Sequence, residues 1–313
     1  MPVPTPIDLR GIQPIPIAER TNKVTVEDLA RAPKPGASFS DFLSALPNVL
    51  AGRDFVEFVE HVVEAASAHR TIAVGIGGHV VKCGLSPVLV DLMQRGILSS
   101  VAMNGATAIH DTEIAMIGET SEDVATHLED GTFGMAGETA DFINHAVQED
   151  EGYGMALGRA IAQANLPFKG KSILYHATRL EIPATVHVAI GTDIVHQHPS
   201  ADGAAIGRAS LTDFRIFCSI LSGLEGGVFI NFGSAVILPE VFLKALTVVR
   251  NLGYKVEHFV TANFDMIRHY RPQMNVVDRP TSIGGKGYTF IGYHEIMIPL
   301  LAQAILESAK CKG

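Results

Sequence analysis

The sequence predicts an α/β protein with a doubly wound parallel sheet in three layers. From about residue 53, short apolar runs alternate with helical stretches of ten or more residues, the pattern of βαβ units. The runs are continuously apolar, as in strands covered by helices on both faces. Hydrophobic residues make up 47% of the 313 and charged residues only 18%, which provides for a large core and leaves room for apolar subunit contacts.

Residues 1–36 carry Pro2, Pro4, Pro6, Pro14, Pro16, Pro33 and Pro35, too many for regular structure. This stretch reads as an extended arm, either wrapped on a neighbouring subunit or frayed. Within it Thr25-Val-Glu-Asp28 has the form of a capping box. A single domain is expected over 37–313, because no linker there is rich enough in Gly, Ser or Pro to divide it. Helix is expected over 54–69, 87–95, 172–180, 211–224, 239–251 and 295–308. The strands expected are 71–78, 100–105, 184–191, 227–233, 256–262 and 288–292, with a mostly helical region between 105 and 165.

Net charge is −9 and no Lys/Arg-rich run occurs, which argues against nucleic acid as a partner. Cys83, Cys218 and Cys311 are isolated: too few for a four-thiolate zinc site, and in keeping with a reducing compartment. Neither a signal peptide nor an apolar run long enough to span a membrane is seen. A cytoplasmic protein with no membrane partner is expected.

Five strand endings share one chemistry: Gly75-Ile-Gly77-Gly78, Asn104-Gly105-Ala-Thr107, Gly191-Thr192-Asp193, Asn231-Phe-Gly233-Ser234 and Thr261-Ala-Asn263. In an open parallel sheet ligands lie beyond the carboxyl ends of the strands. Glycine there allows close backbone approach, and helix starts offer free N–H groups. Each ending alone is an ordinary turn; together they predict a cofactor cradle. The dinucleotide fingerprint is missing, since Gly75-x-Gly77-Gly78 is not completed by a third glycine at the required spacing.

The stretch from about residue 70 onward resembles the deoxyhypusine synthase family. The segments that carry the likeness are Gly75–Gly78, Met103–Asp111, Ala189-Ile-Gly-Thr-Asp193, Ile230–Pro239 and Gly292-Tyr293-His294-Glu295 ahead of Pro-Leu-Leu301. Asn104–Asp111 is also similar to a stretch of the NAD-dependent ornithine cyclodeaminase domain fused to arginine dihydrolases. The resemblance implies NAD held near Gly77, Asn104, Asp193, Gly233, Ser234, Asn263 and Tyr293, in a homo-oligomer (dimer or tetramer). The family's imine-forming lysine lies in a Trp-Gly-Lys segment. This chain has no Trp, and its nearest counterpart is Lys286 in Gly284-Gly-Lys-Gly287.

Four residues are expected to act in catalysis. His110 and Asp111, with Glu113 close by, follow the second strand and suit proton transfer, although a carboxylate there also suits a helix start. Asp193 suits a substrate amine or a ribose hydroxyl, and Lys286 an imine or an anion. His196, His198, His294 and Glu295 are candidates for substrate contact. The expected activity is NAD-dependent: transient oxidation of a small amine or amino acid through an imine. Two alternatives are a non-catalytic NAD- or nucleotide-binding protein and a metal-dependent hydrolase using the His196/His198 loop, although no metal is expected. A sirtuin-type deacetylase shares the fold class but needs zinc cysteines that this chain lacks.

Overall fold

The computed structural model describes residues 3–149 and 151–310. Its centre is a six-stranded, all-parallel sheet in the order β3-β2-β1-β4-β5-β6. The strands are β1 (Ile72–Ile76), β2 (Ser100–Asn104), β3 (Ala184–His187), β4 (Val228–Phe232), β5 (Val260–Asp265) and β6 (Lys286–Ile291). The chain runs outward from β1 to β3, returns to β4 on the other side of β1, and runs outward again. Strand order therefore reverses between β1 and β4, which pair in register from Ile72↔Val228 to Ile76↔Phe232.

The helices are α1 (Phe39–Ala45), α2 (Leu50–Ser67), α3 (Gly78–Lys82), α4 (Ser86–Gln94), α5 (Gly105–Ile117), α6 (Val124–Asp130), α7 (Gly137–Ala146), α8 (Tyr153–Gln163), α9 (Ile173–Arg179), α10 (Gly203–Ser222) and α11 (Ile237–Asn251). Two single turns, α12 (Tyr270–Pro272) and α13 (Arg279–Thr281), flank a π-helical stretch over Gln273–Asp278, and α14 (His294–Lys310) closes the chain.

Alternate residues of each strand face opposite layers. Ile72, Val74, Ile76, Val101, Met103, Val228, Ile230 and Phe232 join one core with α2, α4, α5, α9 and α14. Ala73, Ala102 and Phe229 join the other with α10, α11 and the π-helical stretch. Small residues on that second face make room for rings: Phe229 and Phe242 stack with centroids 4.0 Å apart. Gly75 belongs to this packing, since a Cβ there would press on Phe229 and Leu238. It lies inside β1 and not at a strand tip, so the expectation of a cofactor contact at Gly75 is corrected.

Two strands differ at an end by three or more residues from those read in the sequence. The fifth strand begins at Val260 and not 256, because the N–H groups of Glu257 and His258 are taken by the Glu225 carboxylate at 2.7 and 3.0 Å. It continues through Asn263 to Asp265, so its tip is Asp265. The third strand stops at His187, leaving 188–193 as a loop. Residues 3–36 hold two 3-10 turns and no buried side chain. At the second turn Thr25 N–H and Oγ1 both donate to Asp28 Oδ2.

β3 is an edge strand, and α10 covers it. Asp213 Oδ2 accepts the N–H of Val186 at 2.6 Å and of Gly154, in the first turn of α8, at 2.8 Å. Its Oδ1 has no partner. Burial pushes its pKa up to about 7 even though both N–H groups act to lower it. The native state then holds a proton that the unfolded chain releases near pH 4, so stability falls as pH rises from about 4 to about 7, by up to about 1.4 kcal/mol per unit. Asp213→Asn keeps an acceptor for both N–H groups and loses the titration. In urea unfolding, the variant's stability is expected to fall less than wild type's between pH 5 and pH 8. Equal falls would show that Asp213 is already ionised in the folded state.

Candidate functional site

The carboxyl ends of the strands form one rim, and its richest chemistry lies beyond β2 and β3. Asn104 caps α5: its Oδ1 accepts from Thr107 N at 2.9 Å and from Thr107 Oγ1 at 2.6 Å. Gly105 follows, and any Cβ there would overlap the Asp193 carboxylate. Asp193 thus sits directly on the first turn of α5, 8% exposed, with its Oδ2 lacking any protein partner. Burial pushes its pKa up to about 6, opposed by the Thr192 hydroxyl. His196 turns Nδ1 toward the N–H groups of Gly191 (3.1 Å) and Asp193 (3.4 Å). Its Nε2 is buried without a partner, and burial lowers its pKa.

Across from Asp193 stands a relay on α5. His110 Nδ1 lies 2.7 Å from Thr120 Oγ1, which donates to Glu113 Oε2 at 2.5 Å. Burial raises the Glu113 pKa, but bonds with His110 and Thr120 outweigh it and the net shift is downward. Thr120 donates to the carboxylate and so accepts from His110 Nδ1–H, which directs the basic Nε2 away from the relay. His110, Glu113, Asp193 and Thr192 line one cavity of about 230 Å³, closed by Lys82, Glu122 and Phe133. His110, Asp193 and Thr192 were legible in the sequence. Lys82, Glu122 and Phe133 carried no motif, because they reach the cavity from α3 and from the irregular chain around α6.

At the reversal of strand order, a Cβ on Gly77 would collide with the Gly233 carbonyl, and one on Gly233 (φ +63°) with His294 Nε2. Gly78 also packs against Ala106 and His110, less tightly, with a Cβ there meeting both at 3.2 Å. Ser234 is committed to the fold: its Oγ caps α11 through Leu238 N, and its carbonyl accepts from Asn231 Nδ2. His294 is buried with no hydrogen bond at Nδ1, and buried Asp265 Oδ2 has none either, although His269 Nε2 stands 3.9 Å from it. Burial lowers the His294 pKa against the opposing pull of Asp265. Tyr293 is exposed, and Glu295 accepts from the Cys83 thiol at 3.6 Å.

Other expected residues lie elsewhere. Lys286 opens β6. In a parallel sheet that is the amino edge, about 17 Å from the tips at 3.3 Å per residue, and its ammonium pairs with Glu57. Asp111 is fully buried and binds Ser172 Oγ, Ile173 N and Leu174 N, capping α9. Neither reaches the cavity, so a catalytic reading of both is corrected. Asn263 lies inside β5, where it accepts from Asn231 Nδ2 at 2.7 Å. His198 Nε2 is bound to the Gly134 carbonyl. Among the described residues no group of three His, Cys, Asp or Glu is placed to hold a metal ion.

No family model matches the chain, and no curated protein matches it. Solved structures do. A candidate deoxyhypusine synthase from Entamoeba histolytica matches at TM-score 0.50 and 9% identity, over 88% of this chain and 95% of that one. The fold is deoxyhypusine synthase-like. AgrE, solved as a ternary complex with ornithine and NAD+, matches at TM-score 0.53 and 16% identity over 84% of this chain. This chain spans about a third of AgrE's length, covering 34% of it. A candidate LOR/SDH protein from Methanococcus maripaludis S2 matches at TM-score 0.50 and 14% identity, over 82% and 70%. At these identities the deoxyhypusine synthase-like likeness is one of fold. No helix among the described residues is long and apolar enough to cross a membrane.

The seat of Asp193 on Gly105 gives a direct test. Gly105→Ala should cost about 1–3 kcal/mol in chemical unfolding, as forced overpacking does. Most of that cost should vanish when Asp193→Ala is added, giving a large coupling energy. Additive losses would mean that the carboxylate does not rest on this helix start.

Proposed function

We propose that this chain is an NAD-dependent enzyme that oxidises a small amine or amino acid in the cavity between α5 and the 188–198 loop. One observation carries the reading: a buried carboxylate with one oxygen lacking a hydrogen-bond partner (Asp193 Oδ2) and an oriented histidine (His110) line the same small cavity on the carboxyl rim. Parallel sheets of this order bind dinucleotides along that rim. The residues present fit such a ligand. Asp193 Oδ2, Asp265 Oδ2 and His294 Nδ1 are buried along it without hydrogen-bond partners, with His269 Nε2 standing 3.9 Å from Asp265 Oδ2, and a ligand bearing amine, amide and hydroxyl groups supplies the missing bonds.

Asp193 holds the substrate ammonium, an arrangement that needs its ionised form. Lys82, at the cavity wall, suits the carboxylate of an amino-acid substrate. His110 Nε2 takes the proton that leaves the substrate nitrogen, and the charge on the ring is balanced through Thr120 by Glu113. When NAD is bound, the chemistry it supplies is acceptance of the hydride from the amine-bearing carbon. The substrate is left as an iminium ion, with two electrons and one proton passed as the hydride and a second proton on His110. NAD should lie near Gly77, Gly78, Asn104, Gly105, Thr107, Thr192, Gly233, Ser234 and Tyr293, with His196 and the other loop residues close to the substrate.

Purified protein should release NAD or NADH on denaturation, and added NAD should stabilise it by about 2.7 kcal/mol at a hundredfold excess over Kd. Absence of both effects would end the proposal. With a panel of diamines and amino acids, NADH formation should identify a substrate. For that substrate kcat/KM should fall as pH drops through about 6, as Asp193 takes up a proton. Asp193→Asn and His110→Ala should lower kcat/KM by roughly 100-fold or more. Unchanged kcat/KM in both variants would remove the assigned roles.

A further inference from the structure

We infer that the amino edge of the sheet carries a second ligand site, for a free α-amino acid with an apolar side chain, between one face of α2 and the turns that open β4, β5 and β6. The site is separate from the Asp193 cavity, which lies at the other ends of the strands.

A cavity of about 460 Å³ opens at this edge. Its floor is apolar, since Ala65, Val228 and Phe259 line it and are buried. The wall made by the turns is bare. Gly226 and Gly284 have φ of +70° and +139°, a backbone that residues with side chains rarely adopt. A Cβ on Gly227 would collide with the Thr71 carbonyl, and one on Gly285 with the Phe259 carbonyl. Turn geometry accounts for these glycines, but it does not fill the space in front of them.

Across that space stands α2. Its Glu57, His61 and Glu64 recur at i, i+4 and i+7, which is one face of a helix, and all three line the cavity. His61 Nε2 is buried with no hydrogen bond, and Glu57 Oε1 stands 3.9 Å from it. The side of the turns carries cations. Arg70 follows α2 and lies along Gly226, its Nε 3.6 Å from where a Cβ would be. Lys286 pairs with Glu57, its Nζ 5.2 Å from the centre of the Tyr288 ring. His258 is held by Glu225 at 2.9 Å.

This distribution of charge selects the ligand. A phosphate would meet Glu57 and Glu64 on the wall and Glu225 behind His258, and like charges at such distances disfavour it. A polyamine would meet Arg70 and Lys286. A metal ion needs three ligands within reach, and no such group exists among the described residues. A zwitterion suits both sides. Its carboxylate takes the planar fork of Arg70. Its ammonium donates to Glu57 and to Nε2 of the neutral His61 ring. Its side chain then lies on Ala65, Val228 and Phe259, in a space wide enough for a leucine or phenylalanine.

A thermal-shift screen of the full chain against the protein amino acids, followed by calorimetry, tests this. L-leucine or L-phenylalanine should bind. Isocaproate and isoamylamine, which each keep one charged end of leucine, and inorganic phosphate should bind at least roughly 10-fold more weakly. Arg70→Gln, at an exposed position, should weaken the amino acid by roughly 10- to 100-fold, and Arg70→Lys by roughly 3- to 10-fold because the fork is lost. His61→Phe should weaken it by roughly 3- to 10-fold. Asp193→Asn and His110→Ala, on the opposite rim, should leave it unchanged. If Asp193→Asn abolishes binding and Arg70→Gln does not, the amino acid is a ligand of the rim; this inference then fails while the proposed function stands. If phosphate binds and no amino acid does, or if none of these probes binds, the amino-edge site is overturned whatever the NAD experiments give.

Discussion

The contact of Gly77 with Gly233 governs the rest of the rim. The N–H of Gly77 extends the β1–β4 ladder by donating to the Phe232 carbonyl at 2.9 Å, and the two glycine backbones then touch with no room for a side chain. This is where the two halves of the chain meet, so their approach fixes how the loops after β2 and β3 face those after β5 and β6. It also sets His294 beneath Gly233, because the ring occupies the volume that a Cβ at 233 would claim. A bulky pair at these positions would separate β1 from β4 at their tips and let water reach the buried polar atoms on either side.

Buried polar groups in this fold fall into two kinds. Asp111 and Asn104 have both a structural task and a full set of donors: each caps a helix and is satisfied by it. Asp193 and Asp265 each leave one carboxylate oxygen unbonded, although a backbone N–H or hydroxyl in place of a neighbouring apolar group would have satisfied it. Stability alone favours the first kind. On the rim the second kind occurs on both sides of the β1–β4 junction, which is where the proposed ligand would supply the missing partners. Orphaned atoms also occur away from the rim, among them Asp213 Oδ1 behind β3 under α10, Ser100 Oγ at the amino end of β2 and Asn144 Oδ1 on α7.

Much of the fold was legible because the strands are apolar on both faces and helices such as α5, α10 and α11 between them exceed ten residues. The site was legible only in part. Asn104, Gly105 and Asp193 stand at strand and helix ends that local sequence marks. Asp265 was missed because Val256 to Ala262 reads as a strand in isolation; only the distant Glu225 carboxylate takes two N–H groups out of the ladder and moves the strand four residues on. Lys286 drew notice through its glycines, yet it precedes the residues read as the last strand. In a parallel sheet that places it on the amino edge, away from all other tips. Asp111 looked like a partner for its neighbour His110. One residue along a helix is a turn of about 100°, so the two side chains diverge, one toward the cavity and the other into the start of α9.

That divergence shows how α5 divides its work. One face of the helix, through Asp111, anchors α9 and with it the outer layer. The next residue carries His110 into the cavity, with Glu113 three positions on and Thr120 just past the Gly118 cap completing its relay. The helix start presses on Asp193 through Gly105, and its cap ties back to β1, since Thr107 Oγ1 also reaches the Ile76 carbonyl at 2.9 Å. The His110–Thr120–Glu113 chain is therefore held by the same helix that fastens β2 to β1, and its geometry follows the sheet. Only the Asp193 side of the cavity is built on irregular chain. It is tied down where His198 holds Gly134, whose N–H bonds Glu122 Oε1 on the cavity wall. A rigid base on α5 facing a loop-borne carboxylate is what a site needs if substrate must enter past the loop and still meet a fixed histidine.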